Sequence, residues 1–327
     1  MPVRRTVIAM LAAAGLMWGA LPAAAQDYPN RPITLIVPFA AGGPTDVISR
    51  IVADHMSKTL GQQIVVENVV GAGGTTGSAR AKRAAPDGYT IEMGHMGTHA
   101  AAPALYPNLA YNPETDFVPI GLAAGTPILI VARKDFPAKD LGEFVKYLKA
   151  NESKINEAHA GVGSVSYTTC TLLNSVLNIK PTAVPFNGTG PALNAMLGSQ
   201  VDYMCDQIVN LVSQIEGGAI KAYAIATPNR NPVLPNVPTT KEGGLPEYEV
   251  SAWNMLFAPK GTPQPIVDKL TDALDKALND ETTRKRLLEL GSDIPDAPRR
   301  GQQAGAELVK KEVARWTPVL KAAQAQN

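Results

Sequence analysis

Apolar and polar residues along this chain follow two periods in turn, one typical of strands and one typical of helices. Residues 33–37 form a β-branched apolar run that predicts a strand, and the apolar positions of residues 47–60 recur at helical spacing. Thr45 or Asp46 is predicted to cap this helix, and Gly61 to end it. The repeated alternation of strand-like and helix-like segments favours an α/β fold with mostly parallel sheets.

Further short apolar segments have the composition of strands and are separated by turn residues. They are residues 64–66, 89–93, 127–132, 182–186, 201–205 and 222–226. The chain after Trp253 is predicted to be mainly helical, because Thr262 and Pro263 suit a helix start and apolar residues follow at helical spacing. The proline-rich segments 103–119 and 228–246 lack periodicity and are predicted to be ordered connections.

Two glycine-containing turns each join a predicted strand to a predicted helix. One is Gly42-Gly43-Pro44, and the other runs from Gly161 to Ser164. The first N–H groups of a helix have no partner within the helix, and the helix dipole is positive there, so such a turn can bind an anion. Two of these turns in separate halves of the chain suggest two lobes that face one cleft.

The first residues have the pattern of an export signal. Arg4 and Arg5 precede an apolar run over residues 7–21, and small residues lead to Ala25. The run is too short to span a membrane. We expect residues 1–25 to be a signal peptide cleaved after Ala25 and exported by the general route rather than the twin-arginine route. The mature protein would then be periplasmic.

The charge of the chain argues against two classes of partner. The sequence has 30 Lys and Arg residues and 29 Asp and Glu residues, and the signal peptide contains two of the basic ones and no acidic one. A mature net charge near −1 without a basic run indicates neither a nucleic acid nor an anionic membrane surface as partner.

Two cysteines, Cys170 and Cys205, are present. An oxidising compartment permits a disulfide between them, and two buried thiols are the other possibility. Cys205 is not expected to be a nucleophile, because the neighbouring carboxylate of Asp206 would raise the pKa of its thiol.

Patterns for cofactor and metal sites are incomplete. Residues 71–77 approach a dinucleotide-binding fingerprint, but Thr76 stands where the third glycine is required, so a tight turn is expected. His95 and His99 would share one face of a helix as metal ligands, yet adjacent glycines disfavour a helix there. We therefore expect no cofactor and no metal, and histidines that lie in a loop or cleft.

A hydrolase is the enzyme class that composition leaves open. No serine lies in a G-x-S-x-G turn, which would expose a nucleophilic hydroxyl. A triad that uses one of the four histidines remains possible, with Ser164 or Ser166 as the nucleophile. An exported serine hydrolase is therefore kept as an alternative.

Several ordered segments of the chain resemble one known family. These are residues 38–46, Pro86-Asp87-Gly88-Tyr89, residues 116–120, residues 234–239 with Glu242 and Gly244, and Trp253 with residues 258–263. In them the chain resembles the substrate-binding proteins of tripartite tricarboxylate transporters, also called the Bordetella uptake gene (Bug) family. The resemblance covers almost the whole mature chain.

The resemblance implies a two-lobed periplasmic binding protein of type II-like α/β fold. Two mixed sheets flanked by helices would enclose a ligand cleft between the lobes. The chain would cross between lobes near Gly125 and Thr227. Residues 26–124 and 228–327 would then form the first lobe, and residues 125–227 the second.

The resemblance also implies that the two glycine turns hold a ligand carboxylate between the lobes. By position, the site residues would be Phe39, Ala41, Gly42, Gly43, Thr45, Asp46, Thr98, Ser164, Val165, Tyr167, Phe186, Asn187, Gly188, Asp206 and Gln207. A structural role stays open for Asp46, which could cap a helix and pair with Arg50, and for Asp206, which could instead meet a ligand amine. Tyr167 replaces a histidine that many relatives carry.

The implied function is that of a monomeric periplasmic solute-binding protein, not an enzyme. It would capture an organic carboxylate and deliver it to the membrane subunits of a tripartite tricarboxylate transporter. The ligand could be a di- or tricarboxylate, an acidic amino acid or an aromatic acid, with Phe39, Phe186 and Trp253 as candidate stacking residues. A membrane sensor in place of the transporter is the other possible partner.

Overall fold

The computed structural model describes residues 28–325. The predicted signal peptide and its cleavage site lie outside these residues. The strands are β1 (Ile33–Val37), β2 (Ile64–Asn68), β3 (Thr90–His95), β4 (Phe117–Arg133), β5 (Asn156–His159), β6 (Thr182–Pro185), β7 (Tyr203–Gln207), β8 (Ile220–Ile225) and β9 (Ser251–Pro259). The helices are α1 (Pro44–Leu60), α2 (Thr75–Lys82), α3 (Ala102–Leu105), α4 (Leu141–Asn151), α5 (Val165–Leu177), α6 (Thr189–Leu197), α7 (Val212–Glu216), α8 (Gln264–Asn279), α9 (Glu281–Glu289), α10 (Ala297–Arg300) and α11 (Gln302–Ala325).

The strands follow the order β2-β1-β3-β9-β4-β7-β5-β6, and β8 also pairs with β4. In the first sheet β1 is parallel to β2 and β3, whereas β9 is antiparallel to β3 and β4. In the second sheet β5 is parallel to β6 and β7, whereas β4 is antiparallel to β7 and β8. The two-lobed α/β fold with two mixed sheets is therefore confirmed.

Strand β4 belongs to both sheets. Residues 117–127 of β4 pair with β9, and residues 128–132 pair with β7. The chain leaves the first sheet along β4 and returns along β9, so these two strands lie side by side in opposite directions. The prediction of mostly parallel sheets was wrong, because the two linking strands β4 and β9 form antiparallel pairs in both sheets. The segment that leads back to β9 first contacts β8, through the bridge of Ile225 with Thr239. The exact lobe boundaries stay a prediction.

Helix α1 confirms most of the opening pattern. Ile48, Val52 and Met56 are buried at helical spacing in the apolar cluster under the first sheet, and Gly61 ends the helix with a left-handed φ of 67°. The prediction of Thr45 or Asp46 as the cap was wrong. The helix begins at Pro44, whose fixed φ suits the first helical position, and Gly43 is its N-cap.

The other predicted features have mixed outcomes. Cys170 and Cys205 are both buried free thiols, whose pKa values are raised by burial. Residues 103–119 are not entirely a loop, since α3 and the first residues of β4 fall within them. Within residues 28–325, no helix combines the length and the apolar character that a membrane span needs.

Candidate ligand-binding site

Three helices begin around one cavity between the two sheets. They are α1 after β1, α5 after β5, and α6 after β6. The N-caps Gly43 and Gly188 have no side chain that could cap the helix, and the Ser164 hydroxyl accepts one backbone N–H of its helix, that of Tyr167 at 3.2 Å. The remaining first-turn N–H groups have no partner within their helices. Three positive helix ends therefore meet at one place, which favours an anion there.

The space among the lining atoms is about 380 Å³ when the part that is open to solvent is included, and the centre of a water molecule can reach about 20 Å³ of it. Nine residues expected from the sequence line it, namely Phe39, Ala41, Gly43, Thr45, Ser164, Val165, Gly188, Asp206 and Gln207. Seven lining residues were not expected, namely Ala40, Pro44, His95, Ala160, Ser166, Thr189 and Gly190. None of these described lining residues is Lys or Arg. An anion in the cavity would therefore be bound by backbone N–H groups and neutral side-chain donors.

Asp46 and Gly42 lie beside the cavity and are engaged with protein groups. The Asp46 carboxylate accepts hydrogen bonds from the Gly42 N–H at 2.8 Å, from Arg50 Nε at 3.0 Å and from Asn68 Nδ2 at 2.9 Å. Burial alone would raise the pKa of Asp46, but these donors together lower it below its usual value. Asp46 thus stays ionised and fixes the glycine turn from behind.

Four other expected residues lie outside the cavity lining. Thr98 is buried behind His95 and bonds to its backbone N–H and carbonyl. Tyr167 is half-buried, with its ring edge-on to His159 at 5.0 Å between centroids. Phe186 and Asn187 line a wider outer cleft, which is formed with residues 70–74, Tyr106 and residues 160–162.

Asp206 is the one carboxylate among the described lining residues. Its Oδ2 accepts a hydrogen bond from Thr189 Oγ1 at 2.9 Å, and its Oδ1 accepts one from the Gln207 N–H at 2.7 Å. Burial raises the pKa of Asp206 to about 6, although both donors favour the charged form. Near neutral pH the group is mainly ionised.

His95 is a neutral donor at the end of β3. Its Nδ1 accepts hydrogen bonds from the N–H groups of Gly97 at 2.8 Å and Thr98 at 3.3 Å. Burial lowers the pKa of the ring to about 3, so the single proton must lie on Nε2. The ring stacks on Phe39 at 4.6 Å. One weak signal in the sequence points to this role, since a glycine two residues after a strand-end histidine permits such a backbone bond.

Gln207 is held in one orientation by residues of the two linking strands. Its Oε1 accepts hydrogen bonds from Thr126 Oγ1 at 2.8 Å and from Asn254 Nδ2 at 3.4 Å. Because the amide oxygen is occupied on that side, the amide nitrogen is left as a further donor for the cavity.

Among the described residues, no hydrogen bond joins Ser164 or Ser166 to a histidine. Ser164 Oγ lies 3.2 Å from Ser166 Oγ and accepts the Tyr167 N–H. His159 accepts the Gly161 N–H through Nδ1, and His95 uses its Nδ1 for backbone groups. No cluster of three or more His, Cys, Asp or Glu side chains suited to a metal is found within residues 28–325.

Residues 48–324 match the family described as the tripartite tricarboxylate transporter family receptor, TctC. The chain belongs to this family. A relative from Agrobacterium vitis, named UPF0065 protein in the TAR-I ttuE-ttuC' intergenic region, is 44% identical over 318 residues, which are 97% of this chain and 90% of that protein.

Two solved structures are also similar to this TctC-family chain. MatC (Rpa3494) from Rhodopseudomonas palustris with bound malate is 52% identical, covers 90% of this chain and 100% of its own, and has a TM-score of 0.87. The periplasmic binding protein BugD is 44% identical, covers 91% of this chain and 99% of its own, and also has a TM-score of 0.87. TctC and Bug proteins are periplasmic solute-binding proteins, so both the family and the binding-protein fold expected from the sequence are confirmed.

Proposed function

We propose that this protein captures an organic carboxylate in the cavity where α1, α5 and α6 begin, and delivers it to the membrane subunits of a tripartite tricarboxylate transporter. The observation that carries the proposal is the meeting of three helix N-termini at a buried cavity lined by neutral donors. The malate bound to MatC, which is 52% identical, supports a carboxylate as the ligand class.

The strength of such a site needs no buried cation. Hydrogen bonds from N–H groups to a charged acceptor contribute about 1.5–3 kcal/mol each. Four of them would exceed the roughly 8 kcal/mol of a micromolar complex, before the costs of ordering and lobe closure are subtracted. Since His95 is neutral and Asp206 is acidic, the attraction must come mainly from the helix ends.

We infer that the mature protein acts in the periplasm as a monomer. The pattern of residues 1–25 supports export and cleavage after Ala25, and TctC relatives are periplasmic. A carrier of this kind binds its ligand reversibly and does not transform it. Within residues 28–325 no histidine is hydrogen-bonded to Ser164 or Ser166, which supports a carrier over a hydrolase.

A thermal-shift screen against a carboxylate panel tests the proposal. A ligand at 100 times its Kd stabilises the folded protein by about 2.7 kcal/mol, so a binding carboxylate should raise the Tm by several degrees. The matching amides or methyl esters are the controls, because they keep the shape and lose the charge. If no carboxylate raises the Tm, the proposed function is wrong.

Recovery of the ligand separates a carrier from a hydrolase. Incubation of the protein with the stabilising carboxylate and with esters of it should return every compound unchanged. Covalent labelling by a serine-reactive probe that disappears in Ser164→Ala would contradict the carrier function.

A further inference from the structure

Asn254 lies behind the cavity, and its side-chain oxygen is unpartnered. The residue is fully buried on β9, the strand by which the chain returns to the first sheet. Its Nδ2 donates two long hydrogen bonds, at 3.4 Å to Gln207 Oε1 and at 3.5 Å to Thr126 Oγ1. Its Oδ1 has no hydrogen-bond partner within the part of the chain that the structure describes. A buried polar atom without a partner costs free energy, so a role for this amide is expected.

Gln207 connects Asn254 to the ligand cavity. It lines the cavity at the end of β7, and its Oε1 accepts the Thr126 hydroxyl at 2.8 Å. Its Nε2 has no hydrogen bond with another described residue and is left to donate into the cavity. Neither Thr126 nor Asn254 is among the described lining residues. The end of the Gln207 amide that a ligand meets is therefore selected by residues behind the cavity wall.

A second arrangement of the two amides fits the same atomic positions. If both side chains turn over, Gln207 Nε2 takes the place of Oε1 and donates to Thr126 Oγ1 and Asn254 Oδ1. Thr126 suits both arrangements, because a hydroxyl group both donates and accepts. Each arrangement leaves one atom of Asn254 unpartnered, which is Oδ1 in the first and Nδ2 in the second. The first is favoured, because buried N–H groups are left unpartnered more rarely than carbonyl oxygens.

We propose that Asn254 is a positioning residue that determines which end of the Gln207 amide faces the ligand. With Asn254 Nδ2 toward Gln207, the cavity contains a donor that suits a carboxylate. With Asn254 Oδ1 toward Gln207, the cavity would contain an acceptor, which opposes a carboxylate. The inference rests on the proposed function and adds to it a residue outside the cavity that sets the polarity of the site.

The fraction of molecules with the donor orientation sets the apparent affinity. A ligand that binds one of two orientations has an apparent Kd equal to the intrinsic Kd divided by that fraction. Asn254→Leu removes both Nδ2 and Oδ1, so about half of the Gln207 amides should keep the donor orientation and the Kd should rise about twofold. An ionised Asn254→Asp only accepts hydrogen bonds, so it should turn the Gln207 amide over. The Kd should then rise at least about tenfold, since a hydrogen bond to a charged group is lost.

Calorimetric titrations of the variants test these values. The probe is malate, or the carboxylate that raises the Tm most if malate does not bind. Titration at pH 8 favours the ionised form of the new carboxyl group in Asn254→Asp. Thr126→Ser is the matched control, because serine keeps the hydroxyl group that bonds to Gln207, and it should leave the Kd unchanged.

Gln207→Leu separates an effect through the Gln207 amide from the charge that Asn254→Asp introduces. The new charge acts on the ligand in both backgrounds, whereas the turning of the amide requires Gln207. We expect the loss caused by Asn254→Asp to be at least about threefold smaller in the Gln207→Leu background, as for residues in one hydrogen-bond network. If Asn254→Asp does not fold, Asn254→Leu provides the test, and its loss of about twofold should disappear in the Gln207→Leu background.

Two outcomes would overturn the inference while the proposed function stands. One is an equal loss from Asn254→Asp with and without Gln207, which would mean that residue 254 acts by charge or packing alone. The other is a Kd for Asn254→Leu as high as that for Asn254→Asp, which is the result expected of a merely structural role. If the wild type binds no carboxylate, the proposed function fails and the inference fails with it.

Discussion

The side-chain amide of Asn210 donates a 2.6 Å hydrogen bond to the backbone carbonyl of Gly42. Gly42 follows β1 of the first sheet, and Asn210 follows β7 of the second. A second bond of 2.6 Å joins Tyr106 Oη, just after α3, to the carbonyl of Val162, after β5. Both bonds span the cleft and neither uses a group that lines the inner cavity, so they stabilise the closed arrangement independently of a ligand.

The double variant Asn210→Ala with Tyr106→Phe should therefore favour an open form. Each bond contributes about 0.5–1.5 kcal/mol, so each single variant should weaken ligand binding by about 2- to 12-fold. Small-angle scattering of the unliganded double variant should give a larger radius of gyration than that of the wild type. Tyr89→Phe is the matched control, because the Tyr89 hydroxyl bonds to Asn30 within the first lobe. Unchanged scattering and affinity would contradict the role of these bonds.

Gly73 offers an independent test of closure. A Cβ atom at this position would lie 1.7 Å from the carbonyl oxygen of Val162 across the cleft. Gly73→Ala should therefore prevent full closure and weaken ligand binding at least tenfold. Gly61→Ala is the control, since Gly61 has a similar positive φ of +67° but no atom within 4 Å of the added Cβ.

The two glycine variants separate strain from obstruction. Both place alanine in a left-handed conformation, at a cost of about 1–2 kcal/mol, so their Tm values should fall by similar amounts. Titration with the ligand found in the thermal-shift screen should show a loss for Gly73→Ala alone. Equal affinities for the two variants would show that Val162 does not obstruct the added methyl group.

The sequence was sufficient where the signals are local. The strand, glycine turn and helix from Ile33 to Leu60 are encoded by adjacent residues, so their prediction was close, apart from the cap. The start of α6 was missed because Gly188 is its N-cap and Thr189 and Gly190 are its first residues, all of which have weak helix propensity. That start supplies the third positive helix end at the cavity.

Long-range pairing was the main feature that the sequence did not reveal. Phe117 pairs with Pro259 across the first sheet, and no local pattern relates residues so far apart along the chain. His95 was also assigned to a general loop or cleft rather than to the cavity, because its protonated nitrogen is determined by tertiary burial and by backbone groups of residues 97–98. Such features depend on the assembled fold.

Tyr167 stands where many relatives carry a histidine, and the effect of this difference on ligand binding can be tested. Its ring lies against His159 rather than in the cavity lining, and burial raises the pKa of its phenol above the ordinary value, so it is neutral at pH 7. Tyr167→Phe should therefore change the ligand Kd by less than about threefold, a free-energy change below that of one hydrogen bond. Ser164→Ala, which removes a cavity hydroxyl and a helix cap, is the contrasting variant and should weaken binding. A tenfold loss in Tyr167→Phe would place the phenol in contact with the ligand.

Glu92 should make the stability of the protein depend on pH. It is fully buried on β3, with Oε1 accepting a hydrogen bond from Ser78 Oγ at 2.5 Å, while Oε2 lies 3.9 Å from His99 Nε2 without a hydrogen bond. Burial raises the pKa of Glu92 from 4.5 to about 8. The folded protein keeps a proton that the unfolded chain releases above pH 4.5, so the unfolding free energy falls as pH rises from about 4.5 to 8.

Glu92→Gln should remove this part of the pH dependence, because the amide keeps an acceptor for Ser78 and does not titrate. Between pH 4.5 and pH 7 the wild type should lose about 3 kcal/mol of unfolding free energy through Glu92, at 1.36 kcal/mol per pH unit, and the variant should not lose it. Urea unfolding at several pH values between 4.5 and 8 should show that the unfolding free energy of the variant increases relative to that of the wild type as pH rises. Glu67→Gln is the control, because Glu67 forms an exposed ion pair with Arg80, and its unfolding free energy should depend on pH as that of the wild type does. A constant difference between Glu92→Gln and the wild type over this range would mean that Glu92 is already ionised in the folded protein.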